Sequence, residues 1–156
     1  MVNGQAVASD MRESMDRVMR AKPIILDLLN GDDLLPVEGS DNEVLKMLDM
    51  TCGIDYYHVF KKYGFVWGIG SRFQVVQQNA KPWNTFTVRT ARDSGAMTEY
   101  EKRKLAIERG GTYPYLTLQA YVSSADESVL SMGIAKTRDV IECVIARSEE
   151  RRGGEE

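Results

Sequence analysis

The sequence predicts a single-domain mixed α+β (α/β) fold. The chain has 156 residues, which is room for one compact core. Apolar residues recur at helical spacing near both ends, and the middle alternates or runs in β-branched and aromatic stretches. Every Tyr, Phe and Trp lies between Tyr56 and Tyr121, where the strands are expected.

The elements follow in order. Met11, Met15, Val18 and Met19 form one helical stripe, a packing face or a partner-binding face. Pro23 limits that helix, an apolar block follows from Ile24 to Leu29, and Asn30-Gly31-Asp32-Asp33 stops it. Ser40-Asp41-Asn42-Glu43 reads as a capping box for a helix with Val44, Leu45, Met47 and Leu48 on its buried face. Asp49 closes this helix, where the macrodipole disfavours an anion, so it needs a local partner or a functional reason.

Three strands are expected next: Gly53 to Phe60, Phe65 to Val76 after a turn at Lys61-Lys62-Tyr63-Gly64, and Trp83 to Thr90 beyond Lys81-Pro82. Thr98-Glu99-Tyr100-Glu101 is a second capping box, opening a helix that Gly110-Gly111 ends. Strands over Pro114–Val122 and Val129–Ala135 precede a last helix from Thr137 or Asp139. The tail from Arg147 has no apolar residue and is expected to fray. Residues 1–38 thus read as a helical extension, 39–146 as the core and 147–156 as a charged tail.

Several function classes are excluded. No run of 18 apolar residues exists, so no membrane helix is expected. The start has no basic cluster followed by an apolar block, so no signal peptide is expected, and the cytoplasm is the expected location. Cys52 and Cys143 are too few for a disulfide framework or a four-cysteine zinc site. Phosphate-loop, paired-cysteine and GxSxG motifs are absent. His58, the one histidine, alternates with Ile54, Tyr56 and Phe60 and reads as a packed or edge residue. Without a second histidine, Cys52 has no base partner in the sequence.

Charge is partitioned. Residues 1–60 carry 5 basic and 11 acidic residues, whereas residues 61–109 carry 10 and 4. A basic, aromatic middle is what a surface following a nucleic-acid backbone needs. A net charge of −3 therefore does not count against a nucleic-acid partner. Asp55 is unusual, an aspartate inside a strand-like run. It can pair with Arg72, or ligate a hard divalent cation such as Mg²⁺ or Mn²⁺ with Glu43 or Asp49 as second carboxylate. Such an ion could activate water against a phosphodiester.

This order of a capped acidic helix, an aspartate entering a strand, a cation-bearing strand, a third strand, a helix and a fourth strand resembles the PD-(D/E)XK nuclease-like superfamily. The resemblance implies an αβββαβ restriction-endonuclease-like core, here with an N-terminal helical segment and a C-terminal strand and helix. It also implies metal-dependent phosphodiester hydrolysis, with Asp55 as the family aspartate and Glu43 as the helix acid. Gly70-Ser71-Arg72 stands where (D/E)xK is expected, Ile54 where the family has proline, and Gln74 could supply the missing oxygen. Arginine at 72 can hold phosphate but cannot act as a base. The run GID…GIGSRFQ…NTFTVR…RDSG…TEYEKRK also resembles uncharacterised phage and mobile-element proteins.

Arg89, Arg92, Lys102 and Arg103, with the hydroxyls of Thr85 and Thr87, are the expected phosphate contacts. On the helix, Glu99/Arg103, Glu101/Lys104 and Lys104/Glu108 can equally be solvated ion pairs. Three readings stand at this point. They are a metal-dependent nuclease, an inactive nucleic-acid-binding descendant, and an interaction module that inhibits a host protein system through the methionine stripe or the aromatic sheet.

Overall fold

The computed structural model describes residues 4–37, 42–77 and 86–153, with side chains described over 16–148 of these. The fold is α+β. Helix α1 (Gly4–Leu29) leads through β1 (Asp33–Pro36) to α2 (Glu43–Cys52). Then come β2 (Tyr56–Phe60), β3 (Phe65–Val76), α3 (Glu99–Arg109), β4 (Leu116–Ser123), β5 (Val129–Lys136) and α4 (Thr137–Gly153). The five strands form one sheet in the order β1-β2-β3-β4-β5, with β3 and β4 parallel and every other pair antiparallel.

The sheet has one apolar and one polar face. On the apolar face, Tyr56, Ile69, Leu116, Leu118 and Ala120 pack with Val18, Ala21 and Ile25 of α1 and with Leu34 of β1. Each fully buried aliphatic side chain there contributes about 1.5–3 kcal/mol. The segment set apart in sequence as an extension therefore supplies part of the core. Its buried row is Val18, Ala21 and Ile25, whereas Met19 is 51% exposed, so the expected stripe packs only through Val18. The side chains of Met11 and Met15 lie outside the described residues.

Several expectations change. Helix α1 runs through Pro23 rather than stopping there. Proline removes one backbone bond, but the row buried on both sides of it keeps the helix docked. The four-residue β1 was not expected. It is an edge strand, where its terminal Pro36 is tolerated.

Helix α2 is capped by Asn42, whose side chain accepts from the Val44 and Leu45 amides, so the cap lies two residues past Ser40. Ser40 itself lies outside the described residues. Asp49 does not close α2, which continues to Cys52 and ends on left-handed Gly53 (φ 66°). The last helix continues through the expected tail to Gly153, and its Ser148 hydroxyl bonds back to the Val144 carbonyl.

The third expected strand, Trp83 to Thr90, is not found over 86–90, which belong to no strand; 83–85 lie outside the described residues. Both edges of β3 are already taken. Strand β2 holds one, and β4 holds the other in register from Ile69↔Leu116 to Val76↔Ser123. The buried apolar β4 outcompetes the threonine-rich segment for that edge. The second capping box forms as expected, with Thr98 and Glu101 bonding reciprocally, and left-handed Gly110 ends α3.

Among the described residues, no helix is long and apolar enough to cross a membrane.

Candidate functional site

The polar face of the sheet carries the candidate site. Pairing of β3 with β4 places Gly70 beside Thr117, Arg72 beside Gln119 and Gln74 beside Tyr121. Above them lies a cavity of about 240 Å³. Its floor is the sheet, and its walls are residues 86–92, the start of α3 and the start of α4. Arg72, Arg89, Arg92 and Arg103 all line it, accompanied by Glu99.

Segment 86–88 is tied down by side chains instead of a β-ladder. The Gln119 oxygen accepts from the Thr87 amide at 2.8 Å. Its nitrogen donates to the Thr87 hydroxyl at 2.8 Å and to the Tyr121 hydroxyl at 2.9 Å. Phe86 lies over Gly133, where an added Cβ would stand 2.8 Å from its ring. With its amide oriented to meet its neighbours, Gln74 accepts from Arg72 at 3.0 and 3.1 Å and from the Thr87 hydroxyl at 3.2 Å. Arg72 also donates to the Thr87 carbonyl at 3.4 Å. Its guanidinium is thereby held before any ligand arrives.

Arg103 reaches inward from α3. It donates to the Thr117 hydroxyl at 3.3 Å and to the Gly53 carbonyl at 3.4 Å. Burial works against its charge, and Asp55 and Glu99 support it. Gly70 makes room for this arginine: a Cβ there would stand 2.2 Å from the guanidinium and 2.7 Å from the Gly53 carbonyl oxygen. Two buried atoms at the cavity, Arg103 Nε and Glu99 Oε2, have no hydrogen-bond partner among the described residues.

Asp55 sits just before β2, its amide bonded to the Ile69 carbonyl and its carbonyl to the Val37 amide. Its carboxylate accepts from the Ser71 amide and, at 2.9 Å, from the Ser71 hydroxyl. Arg103 is the cation that Asp55 supports, whereas Arg72 turns toward Gln74 and Thr87. The expected Asp55–Arg72 pairing thus gives way to an Asp55–Arg103 relation across Gly70.

Glu43, Asp49 and Asp55, the candidate metal ligands, do not form a three-residue cluster among the described residues. Among the described residues, no three His, Cys, Asp or Glu side chains could share a metal ion. Glu43 is exposed at the first turn of α2, and Asp49 lies six residues further, about 9 Å along the axis. Burial, and then Glu99, push the Asp49 carboxyl upward, while Lys102 opposes them. The guanidinium of Arg103 already supplies positive charge beside Asp55.

The other expected contacts divide. Arg89 and Arg92 are exposed at the cavity; their side chains make no hydrogen bond among the described residues, the Arg92 carbonyl accepts from the Gly95 amide at 3.0 Å, and the Arg92 charge acts on Glu101. Thr87 also lines the cavity, and Thr85 lies outside the described residues. Lys102 is engaged elsewhere, donating to the Met50 carbonyl near the end of α2 and to Glu99, each at 3.0 Å. Of the possible ion pairs on α3, Lys104–Glu108 forms at 3.7 Å. Glu101 instead accepts from Thr98 in the capping box.

Sequence reasoning missed Gln119, Thr117 and Thr137 at the cavity. The one local signal was a glutamine inside the otherwise apolar run of β4. His58 is fully buried, as expected, and burial pushes the Cys52 thiol upward, toward the unreactive protonated form. Comparison with protein-family models, curated proteins and solved structures finds no match to this chain.

Proposed function

We propose that this protein binds nucleic acid, holding phosphate in the arginine-lined cavity over the polar sheet face. The observation that carries this reading is the convergence of Arg72, Arg89, Arg92 and Arg103 on one cavity. Arginine is suited to the task, because its planar fork meets two phosphate oxygens at once and it stays charged at any ordinary pH. The excess of basic over acidic residues across 61–109 supports the same reading. Binding is the reading that the four arginines support; among the described residues no three His, Cys, Asp or Glu side chains form a metal site that would add hydrolysis.

The test is fluorescence anisotropy with labelled single-stranded DNA, duplex DNA and RNA, from about 50 to about 200 mM salt. At least one probe is expected to bind, with affinity falling steeply as salt rises. The double substitution Arg89→Ala/Arg92→Ala should weaken binding by about tenfold or more. Lys62→Ala, at the exposed β2–β3 turn, should leave it near wild type. Failure of all three probes at low salt, or an unaffected double variant, would refute the proposal. Cleavage in Mg²⁺ or Mn²⁺ that Asp55→Ala abolishes would replace binding alone with hydrolysis.

A further inference from the structure

The dimensions and charge of the cavity select among phosphates. Ligand pockets for drug-sized molecules run from roughly 300 to 1,000 Å³, and this one is about 240 Å³. It has room for a terminal group. A backbone diester continues on both sides and is met along an open strip. Here the donors come from separate elements around one recess: Arg72 from the floor, Arg89 and Arg92 from the 86–92 segment, and Arg103 from α3.

Charge points the same way. Four arginines line the recess against one acid, Glu99, which is itself bonded to Lys102. A diester carries one negative charge and two free oxygens, whereas a terminal monoester carries about −1.5 to −2 and three. The side chains of Arg89 and Arg92 make no hydrogen bond among the described residues, and Arg92 lies within electrostatic reach of Glu101, so Arg89 supplies the least committed fork. Arg103 adds a buried Nε without a hydrogen-bond partner.

We infer that the cavity receives a terminal phosphomonoester, carried by the end of a nucleic-acid strand or by a mononucleotide. The strand end as its source rests on the nucleic-acid reading above. The monoester itself rests on the size and charge of the recess.

The experiment compares three oligonucleotides of one sequence, bearing a 5′-phosphate, a 3′-phosphate or no terminal phosphate, together with adenosine monophosphate. Anisotropy reads the oligonucleotides, and calorimetry reads the mononucleotide. One phosphorylated end should bind about 10–100-fold tighter than the unphosphorylated strand, the range of one further charge-assisted contact. Arg89→Ala/Arg92→Ala should remove that preference while the melting temperature holds, since both side chains are exposed.

Equal binding of all three oligonucleotides overturns the monoester inference and leaves nucleic-acid binding standing. Binding of adenosine monophosphate but of no oligonucleotide supports the monoester and overturns the nucleic-acid reading. If no probe binds, both fall.

Discussion

Lowering the pH from 7 to 5 should weaken the fold through His58. Its ring is completely buried, and neither nitrogen has a hydrogen-bond partner among the described residues. Phe60 packs edge-on at 4.2 Å between ring centroids, and Trp67 lies at 6.2 Å. Gly31 closes the remaining side so tightly that a Cβ there would fall 1.6 Å from Nε2.

Burial pushes the His58 pKa below its ordinary 6.5, with Asp32 opposing. Below about pH 6.5 the unfolded chain takes up a proton that the folded chain refuses, so stability falls as pH falls. One proton sets a maximum slope of about 1.4 kcal/mol per pH unit, or about 2 kcal/mol between pH 7 and pH 5 if the folded ring stays neutral throughout.

Urea unfolding followed by tryptophan fluorescence measures this. With a slope of about 1–3 kcal/mol per molar urea, the midpoint should drop by about 1 M. His58→Leu removes the titrating ring, so its pH dependence across this window should be flatter, whatever its absolute stability. The carboxyls of Asp33, Glu101 and Asp126, held below their ordinary range by hydrogen bonds, lose their contribution only at lower pH. Equal pH slopes for the two proteins would refute the reasoning.

Two substitutions probe the site's framework. Gly70→Ala should cost about 1–3 kcal/mol by overpacking and weaken phosphate binding, because the new methyl meets both the Arg103 guanidinium and the Gly53 carbonyl. Thermal melts and anisotropy check the two effects together. Gln119→Leu should cost about 1–3 kcal/mol by stranding the Thr87 amide. Because it releases the segment carrying Arg89 and Arg92, its binding loss should exceed that of any substitution on the apolar face with the same melting temperature.

What could be read from the sequence was mostly local. The Thr98–Glu101 box, left-handed Gly110, the turn at Gly64 and the burial of His58 all depend on residues close in the chain or on simple alternation. Pro23 misled because local propensity disfavours proline within a helix, whereas the buried row on either side of it decided the outcome. Residues 86–90 look like a strand by composition, but strand formation needs a free partner edge, and β4 had taken it.

The site was legible in its exposed arginines and illegible in their supports. Arg92 stands out as a basic residue in a loop, and Arg89 as one at the end of the expected third strand. Gln119 holding Thr87, or Gly70 making room for Arg103, depends on contacts between distant parts of the chain that no local pattern records.

The parallel pairing of β3 with β4 bears on the order of folding. Strands β2 and β3 are joined by a four-residue turn, so their hairpin closes at little entropic expense. The β3–β4 ladder must close a connection running from Val76 to Leu116, and such non-local pairing is slow. The cavity floor straddles that ladder, with Arg72 on one strand and Gln119 on the other. Hairpins and helices can therefore form before any binding site exists. Recovery of phosphate binding after dilution from denaturant should lag behind recovery of helical signal, making the ligand a reporter of the last long-range closure.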